Sequence, residues 1–251
     1  MKQLLLPATL SAGQRYSLTG GDSHYLARVL RVQPGARLTV MDAAGDRHTV
    51  EVEAVDSTGV TLRQLDRLVA SLENVAIRVF QAVPKGRKFD EVVRSLTQLG
   101  VRSITPVISE RSVADPTEKA EAKTARWNRV AREAIQQSGA SHVTVEAPVR
   151  LDEVDFDREE GLSLLLHPVP LAHETLHAYL NDAPSEISLW VGPEGGFADN
   201  EVEWLQERGI RPLWLGPRVL RSELAAVVAA SAIQTLLLEQ VAWRLTTEQD
   251  S

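Results

Sequence analysis

The sequence predicts an α/β protein of two domains, a small β-barrel over residues 1–72 followed by a parallel-sheet domain over residues 73–251. Three observations carry this. Up to about residue 70, short β-type runs alternate with turn signals at barrel-like spacing. After residue 74 the rhythm changes to strand, helix, strand, helix. The strands of that second part are near-continuous apolar runs, such as Leu162-Ser163-Leu164-Leu165-Leu166, as expected of strands covered on both faces.

In the first part, the runs Arg37–Met41, His48–Val52 and Val60–Arg63 are separated by Gln33-Pro34-Gly35, Asp42-Ala43-Ala44-Gly45 and Asp56-Ser57-Thr58-Gly59. A helical patch from His24 to Leu30 interrupts them. In the second part, strands are expected at 75–83, 101–107, 162–167, 187–191 and 211–215. Helices are expected at about 88–99, 118–138, 171–180, 199–208 and 221–241, and the pattern of 142–157 assigns no element. Apolar residues fill 12 of the 15 positions from Leu224 to Leu238, on nearly every face, so that helix is expected to be covered all round, partly by a second subunit. At 15 residues it is shorter than the 18 or so that a membrane span needs.

Composition narrows the chemistry. With no cysteine in 251 residues, disulfides, thiolate catalysis and Cys-based zinc sites are excluded, which suits a cytoplasmic protein. The opening Met1-Lys2-Gln3 leads into only three leucines before Pro7, so no secretory signal is expected. The net charge of −7 is unevenly spread: residues 78–133 carry 12 Lys/Arg against 7 Asp/Glu, and residues 134–251 carry 7 against 19. A basic middle beside an acidic last third can orient a phosphate backbone, although surplus arginine on a solvated helix gives the same pattern.

One motif competes for attention. His173-Glu174-Thr175-Leu176-His177 fits the pattern in which two histidines one helical turn apart hold zinc and the glutamate activates water. Its helix would be barely two and a half turns long, with no second helix following to present a third ligand, so two surface histidines are the better reading.

Three turns at strand ends carry more. Leu189-Trp190-Val191 runs into Gly192-Pro193-Glu194-Gly195-Gly196 and then into a helix at Asp199, a place where open α/β sheets bind ligands. Glycines there let backbone amides and carbonyls approach a ligand. It is not a phosphate loop, because no lysine follows. Leu213-Trp214-Leu215 likewise ends in Gly216-Pro217-Arg218, with Val219-Leu220-Arg221-Ser222-Glu223 opening a helix. Arginine at a helix N-terminus opposes the macrodipole, so Arg221 calls for a task such as gripping a phosphate or carboxylate, or else a pairing with Glu223. The third turn, Lys85-Gly86-Arg87-Lys88, sets three cations around a glycine and suits RNA phosphate contact.

The strings Val191–Phe197 and Leu215–Glu223, in that order, closely resemble the ribosomal RNA small subunit methyltransferase E family of SPOUT enzymes. The likeness extends to His24-Tyr25-Leu26 and Arg28-Val29-Leu30-Arg31, to Ile104-Thr105-Pro106 and Ser109-Glu110-Arg111-Ser112, to Trp127, Ala134 and Gln137-Ser138-Gly139, and to Leu166-His167-Pro168. Departures at Gln3, Gln98, Ala140 and Leu224 leave both glycine turns intact. The resemblance implies an N-terminal PUA-like small β-barrel for RNA and a C-terminal SPOUT-type parallel-sheet domain tied in a trefoil knot. It implies a homodimer that methylates N3 of a uridine in 16S ribosomal RNA, within the assembled 30S subunit.

By the same resemblance, S-adenosyl-L-methionine is held by Leu166, His167, Gly192, Pro193, Glu194, Gly195, Gly196, Leu215, Gly216, Arg218 and Leu220, and no metal is needed. RNA contacts fall to His24, Arg28 and Arg31 together with Lys85, Arg87 and Lys88. Methyl transfer from a sulfonium requires alignment of methyl and nitrogen and stabilisation of the uracil as its N3 proton leaves. Arg221 is the candidate cation, and Glu223 or Glu194 would orient it or accept the proton. The alternatives are another SPOUT-class RNA methyltransferase, a zinc hydrolase built on His173, Glu174 and His177, and a non-catalytic RNA-binding module.

Overall fold

The computed structural model describes residues 4–68, 75–140, 142–156, 161–171, 174–182 and 184–241. The chain forms two compact units, Met1–Ser71 with Ile135–His142, and Leu72–Ala134 with Val143–Ser251. The expected boundary between residues 72 and 73 lies outside the described residues.

The first unit is built from β1 (Leu4–Leu5), β2 (Arg15–Leu18), a short helix α1 (Gly20–His24) that continues as one π-helical turn over Tyr25–Val29, β3 (Arg37–Met41), β4 (Arg47–Val55) and β5 (Val60–Leu68). Their order across the mixed, half-barrel sheet is β1-β3-β4-β5-β2, with only the β1–β3 pair parallel. The two-residue period of β4 and β5 turns Val50, Val52, Val60 and Leu62 inward. The expected helical patch at His24–Leu30 is present and closes on Arg31, the one described non-glycine residue with positive φ, +51°. The Val32 amide reaches back to the Leu26 carbonyl at 3.1 Å to satisfy the helix end. Inside the sheet, Asp42 accepts from the amides of Leu10, Ala44 and Asp46 and lies 3.1 Å from His48 Nε2. Asp42, Asp46 and His48 are close enough to hold a metal. Those same oxygens are already engaged, Asp46 by Arg67 at 2.6 Å, so the cluster works as a turn brace.

The second unit runs β6 (Ala76–Ala82), α2 (Lys88–Gln98), β7 (Ser103–Ile108), α3 (Ala120–Ser138), β8 (Thr144–Val145), β9 (Val149–Arg150), β10 (Leu162–Leu166), α4 (Leu176–Leu180), β11 (Glu186–Val191), α5 (Asp199–Glu207), β12 (Arg211–Leu213) and α6 (Ser222–Val241). The seven-stranded sheet is parallel throughout, in the order β12-β10-β11-β6-β7-β8 with β9 also on β7. The unassigned stretch thus holds two short strands and a 3₁₀ turn at Leu151–Glu153. One sheet face carries Val79, Ile104, Leu164 and Leu189 under α2, α3 and α6; the other carries Phe80, Leu165 and Trp190. Phe80 and Trp190 stack at 4.0 Å.

Two elements differ from expectation. The strand expected at 211–215 ends at Leu213. The helix expected at 171–180 is only Leu176–Leu180, because the Thr175 hydroxyl caps it by accepting from the Ala178 amide at 3.2 Å.

On α6, Ala226, Ala229, Ala230 and Ile233 are buried at helical spacing, and their small side chains let the helix lie close on the sheet. The window Ser222–Glu239 meets the length and composition of a membrane span, yet this face belongs to the unit's core and Gln234 donates to the Leu99 carbonyl at 2.6 Å. Leu224 and Leu238 face outward.

Candidate functional site

Because every pair in this sheet is parallel, the ends of β6, β11, β10 and β12 all open on one edge. The three turns singled out in the sequence follow β6, β11 and β12, and Leu166-His167 follows β10. The expected cofactor residues therefore gather on the carboxyl edge of three adjacent strands, β12, β10 and β11, beside the expected RNA-contact turn that follows β6.

The Gly192 turn is built to close tolerance. A Cβ on Gly192 would stand 2.9 Å from the Phe197 amide nitrogen, so no other residue fits without moving backbone. The Gly196 amide closes the turn on the Pro193 carbonyl at 2.9 Å. Beyond it, α5 starts at Asp199 as expected, with Ala198 preceding its first turn; the Glu201 carboxylate accepts from Ala198 N–H at 2.8 Å and from Glu110 N–H at 2.7 Å. Arg111 donates to the carbonyls of Gly195 and Phe197, each at 3.1 Å.

The second turn, around Gly216 at φ +114°, leads across the sheet edge. β12 lies outside β10, two strands from β11, yet the Ser222 hydroxyl at the start of α6 donates to the Gly192 carbonyl at 2.5 Å. Residues 214–221 must therefore pass over the ends of β10 and β11. Ser222 in turn accepts from the Gln81 amide at 2.8 Å.

Charge joins the turns. Lys88 Nζ stands 3.7 Å from Glu194 and 3.3 Å from Glu223, and the Lys85 amide donates to Glu194 at 3.2 Å. Burial pushes the Glu194 carboxyl up, but its own amide, the Lys85 amide and Lys88 outweigh this and hold it below the usual carboxylate range. Lys88, expected on RNA phosphate, is thus occupied within the site. Glu223 pairs with Lys88 rather than with Arg221, and its Oε2 is buried with no partner among the described residues. Arg221 and Arg218 are exposed, and no ion pair of either is formed among the described residues. His167 Nδ1 lies 2.9 Å from the Val169 carbonyl.

The other expected RNA contacts are exposed: His24, Arg28 and Arg31 in the first unit, Lys85 and Arg87 in the second. The zinc motif does not assemble on one helix, since Glu174 precedes the Thr175 cap and His173 lies outside the described residues. Arg111, Gln81 and Ser222 carry contacts at the site that sequence reasoning did not assign. A charged or amide side chain at or just past the end of an apolar strand was the signal available.

The family model described as the RNA methyltransferase domain matches residues 71–234, and the RNA methyltransferase PUA domain matches residues 18–65. Ribosomal RNA small subunit methyltransferase E of Synechocystis is 33% identical over 226 residues, covering 88% of this chain and 73% of its own. The protein belongs to the ribosomal RNA small subunit methyltransferase E family. The Bacillus subtilis member is 29% identical, over 89% of this chain and 91% of that one. The crystal structure of the Neisseria gonorrhoeae member bound to S-adenosyl methionine superposes with a TM-score of 0.78 at 29% identity, covering 94% of this chain and 98% of that one. Family membership accounts for the architecture, a PUA-like unit with a SPOUT-type α/β unit.

Proposed function

We propose that this methyltransferase transfers the methyl group of S-adenosyl-L-methionine to N3 of a uridine in 16S ribosomal RNA, as a cytoplasmic homodimer acting on the assembled 30S subunit. The observation that carries the reading is the convergence of the two glycine turns, tied together by Ser222 and Gly192, on the carboxyl edge of one parallel sheet. The residues suit the cofactor: a glycine-built turn offers backbone groups without side chains, and the open space at Gly216 leaves room beside it. Leu166, His167, Gly192–Gly196 and Leu215–Leu220 would hold it. When bound, it supplies an activated methyl on a cationic sulfur.

The chain's own part is alignment and charge. Arg221, exposed and without an ion-pair partner among the described residues, is available to a uracil oxygen as negative charge develops there. Between the two candidate carboxylates, Glu223 pairs with Lys88 through Oε1 and keeps a buried Oε2 uncommitted among the described residues, whereas Glu194 takes both the Lys85 amide and Lys88 on its Oε1. Glu223 is therefore the better acceptor for the N3 proton, or for orienting Arg221. Because N3 pairs within a helix, the target uridine must be unstacked when attacked. His24, Arg28 and Arg31, with Lys85 and Arg87, would meet phosphates. The outward Leu224 and Leu238 of α6 support a second copy against that helix. Mass mapping of 16S ribosomal RNA from a strain lacking this chain tests the function: loss of one N3-methyluridine is expected, and an unchanged map refutes it.

A further inference from the structure

We propose that Gln81 and Ser222 are positioning residues for the cofactor, a directed hydrogen-bond chain that sets the Gly192 turn against the entrance of α6. This rests on the reading that those turns bind S-adenosyl-L-methionine.

The direction of the chain follows from chemistry alone. The Gly192 carbonyl can only accept, so Ser222 must spend its single proton there, at 2.5 Å. A lone pair of Ser222 then accepts from Gln81 Nε2 at 2.8 Å, and the other proton of that amide goes to the Ala82 carbonyl at 3.0 Å. Both partners of the Gln81 amide need a donor, which fixes its orientation. Such chains polarise and strengthen one another in a dry setting, and Gln81 and Ser222 are 0% and 5% exposed.

The arrangement is poor value as core packing. Gln81 Oε1 is buried with no partner among the described residues, a loss that an apolar side chain would avoid. What the glutamine contributes is its donor side. Ser222 immediately follows Arg221, and Gly192 leads into Glu194 and Gly195. The Gly192 turn is closed on itself by the Gly196 amide, which donates to the Pro193 carbonyl at 2.9 Å. The spacing between the two turns is therefore set by the Ser222 link, and a change there moves one lip of the cleft against the other. Neither residue touches reacting atoms in this arrangement; both act through Gly192 and the start of α6.

The full chain with Ser222→Ala, Ser222→Thr or Gln81→Leu tests this. S-adenosyl-L-methionine affinity is read by calorimetry, and KM for cofactor and for 30S subunits by steady-state methylation. Loss of one buried hydrogen bond should weaken cofactor binding about tenfold in Ser222→Ala, raise cofactor KM equally and leave KM for 30S unchanged. Ser222→Thr keeps the hydroxyl and should recover most of it. Gln81→Leu should weaken binding similarly while melting within a few degrees of the parent. Parental affinity in Ser222→Ala, or affinity lost only in step with melting temperature across the variants, overturns the positioning role. If the parent itself binds no S-adenosyl-L-methionine, the cofactor reading fails and this proposal falls with it.

Discussion

Arg111 donates from one guanidinium nitrogen to the Gly195 carbonyl at 3.1 Å, across 84 positions of sequence. The same nitrogen reaches the Phe197 carbonyl, so one side chain from the end of β7 braces the turn after β11 from outside. Arg111→Ala removes both bonds from a half-exposed side chain. Destabilisation of about 1 kcal/mol is expected, a melting shift of roughly 2–4 °C for a chain of this size. Weaker S-adenosyl-L-methionine binding should accompany it. Differential scanning calorimetry with titration checks both, and parental values for each would remove the brace from the argument.

The two glycines of the same turn should fail differently. Gly192→Ala drives a methyl into backbone at 2.9 Å and should yield a poorly folded chain, whereas a Cβ on Gly195 meets only the aliphatic part of Arg111, at 3.6 Å or more. Gly195→Val should therefore fold and yet lose cofactor binding, because its side chain occupies ligand space. Circular dichroism separates the first effect, calorimetry the second. A folded Gly195→Val that binds as tightly as the parent contradicts the placement of the cofactor.

Arg221 carries the catalytic prediction. Being exposed and unpaired among the described residues, it adds little to folding, and Arg221→Ala should keep the parental melting temperature and cofactor affinity. Single-turnover methylation of 30S subunits should drop by about 10²–10³. Lysine should rescue poorly, lacking the planar fork that can hold a carboxylate and a uracil oxygen together. Near-parental turnover in Arg221→Ala would rule the role out.

Acid should loosen the cofactor cleft. The folded Glu194 carboxyl is held below its ordinary range, so its contribution is present at neutral pH and disappears as pH falls through the lowered value. The stability contributed by this group should thus be flat from pH 7 down to the ordinary carboxylate range near about 4, and fall below it, as thermal melts across pH would show. Glu194→Gln should flatten that acid limb. Asp42, also held low by the Leu10, Asp46 and Ala44 amides and by His48 against its burial, titrates in the same direction within the first unit, and the variant tells the two apart.

Light scattering at micromolar concentration should give a dimer, and Leu224→Arg with Leu238→Arg should shift it toward monomer. A monomeric parent would withdraw the assignment of α6 to a subunit interface.

Most of the architecture was legible because its signals are local. A two-residue period in His48–Val52, an apolar run at Leu162–Leu166 and glycine turns after Val191 and Leu215 each report on their own neighbourhood. The misses have equally local causes. Thr175 stops α4 from extending backward, since a hydroxyl taking the Ala178 amide replaces a further helical turn. The alternative pairing of Arg221 with Glu223 does not form among the described residues, because the cation beside Glu223 is Lys88 from another element. No period or spacing announces a pair such as Gln81 and Ser222, because their meeting depends on the order of strands and not on sequence distance.

That strand order bears on when this enzyme becomes competent. Gln81 lies in β6, the first described strand of the second unit, and its hydrogen-bond partner Ser222 lies 141 positions downstream. At ordinary translation speeds the interval between making the two is roughly ten seconds or more. Throughout it β6 also waits for β11, its neighbour in the finished sheet. Long-range parallel pairing of this kind is slow in any case. If the two glycine turns hold the cofactor as proposed, their cleft has no early, partial form that could bind ligand during synthesis. It is completed only with α6, the last of the described helices, and a chain that has not yet reached Ser222 lacks the link to Gly192.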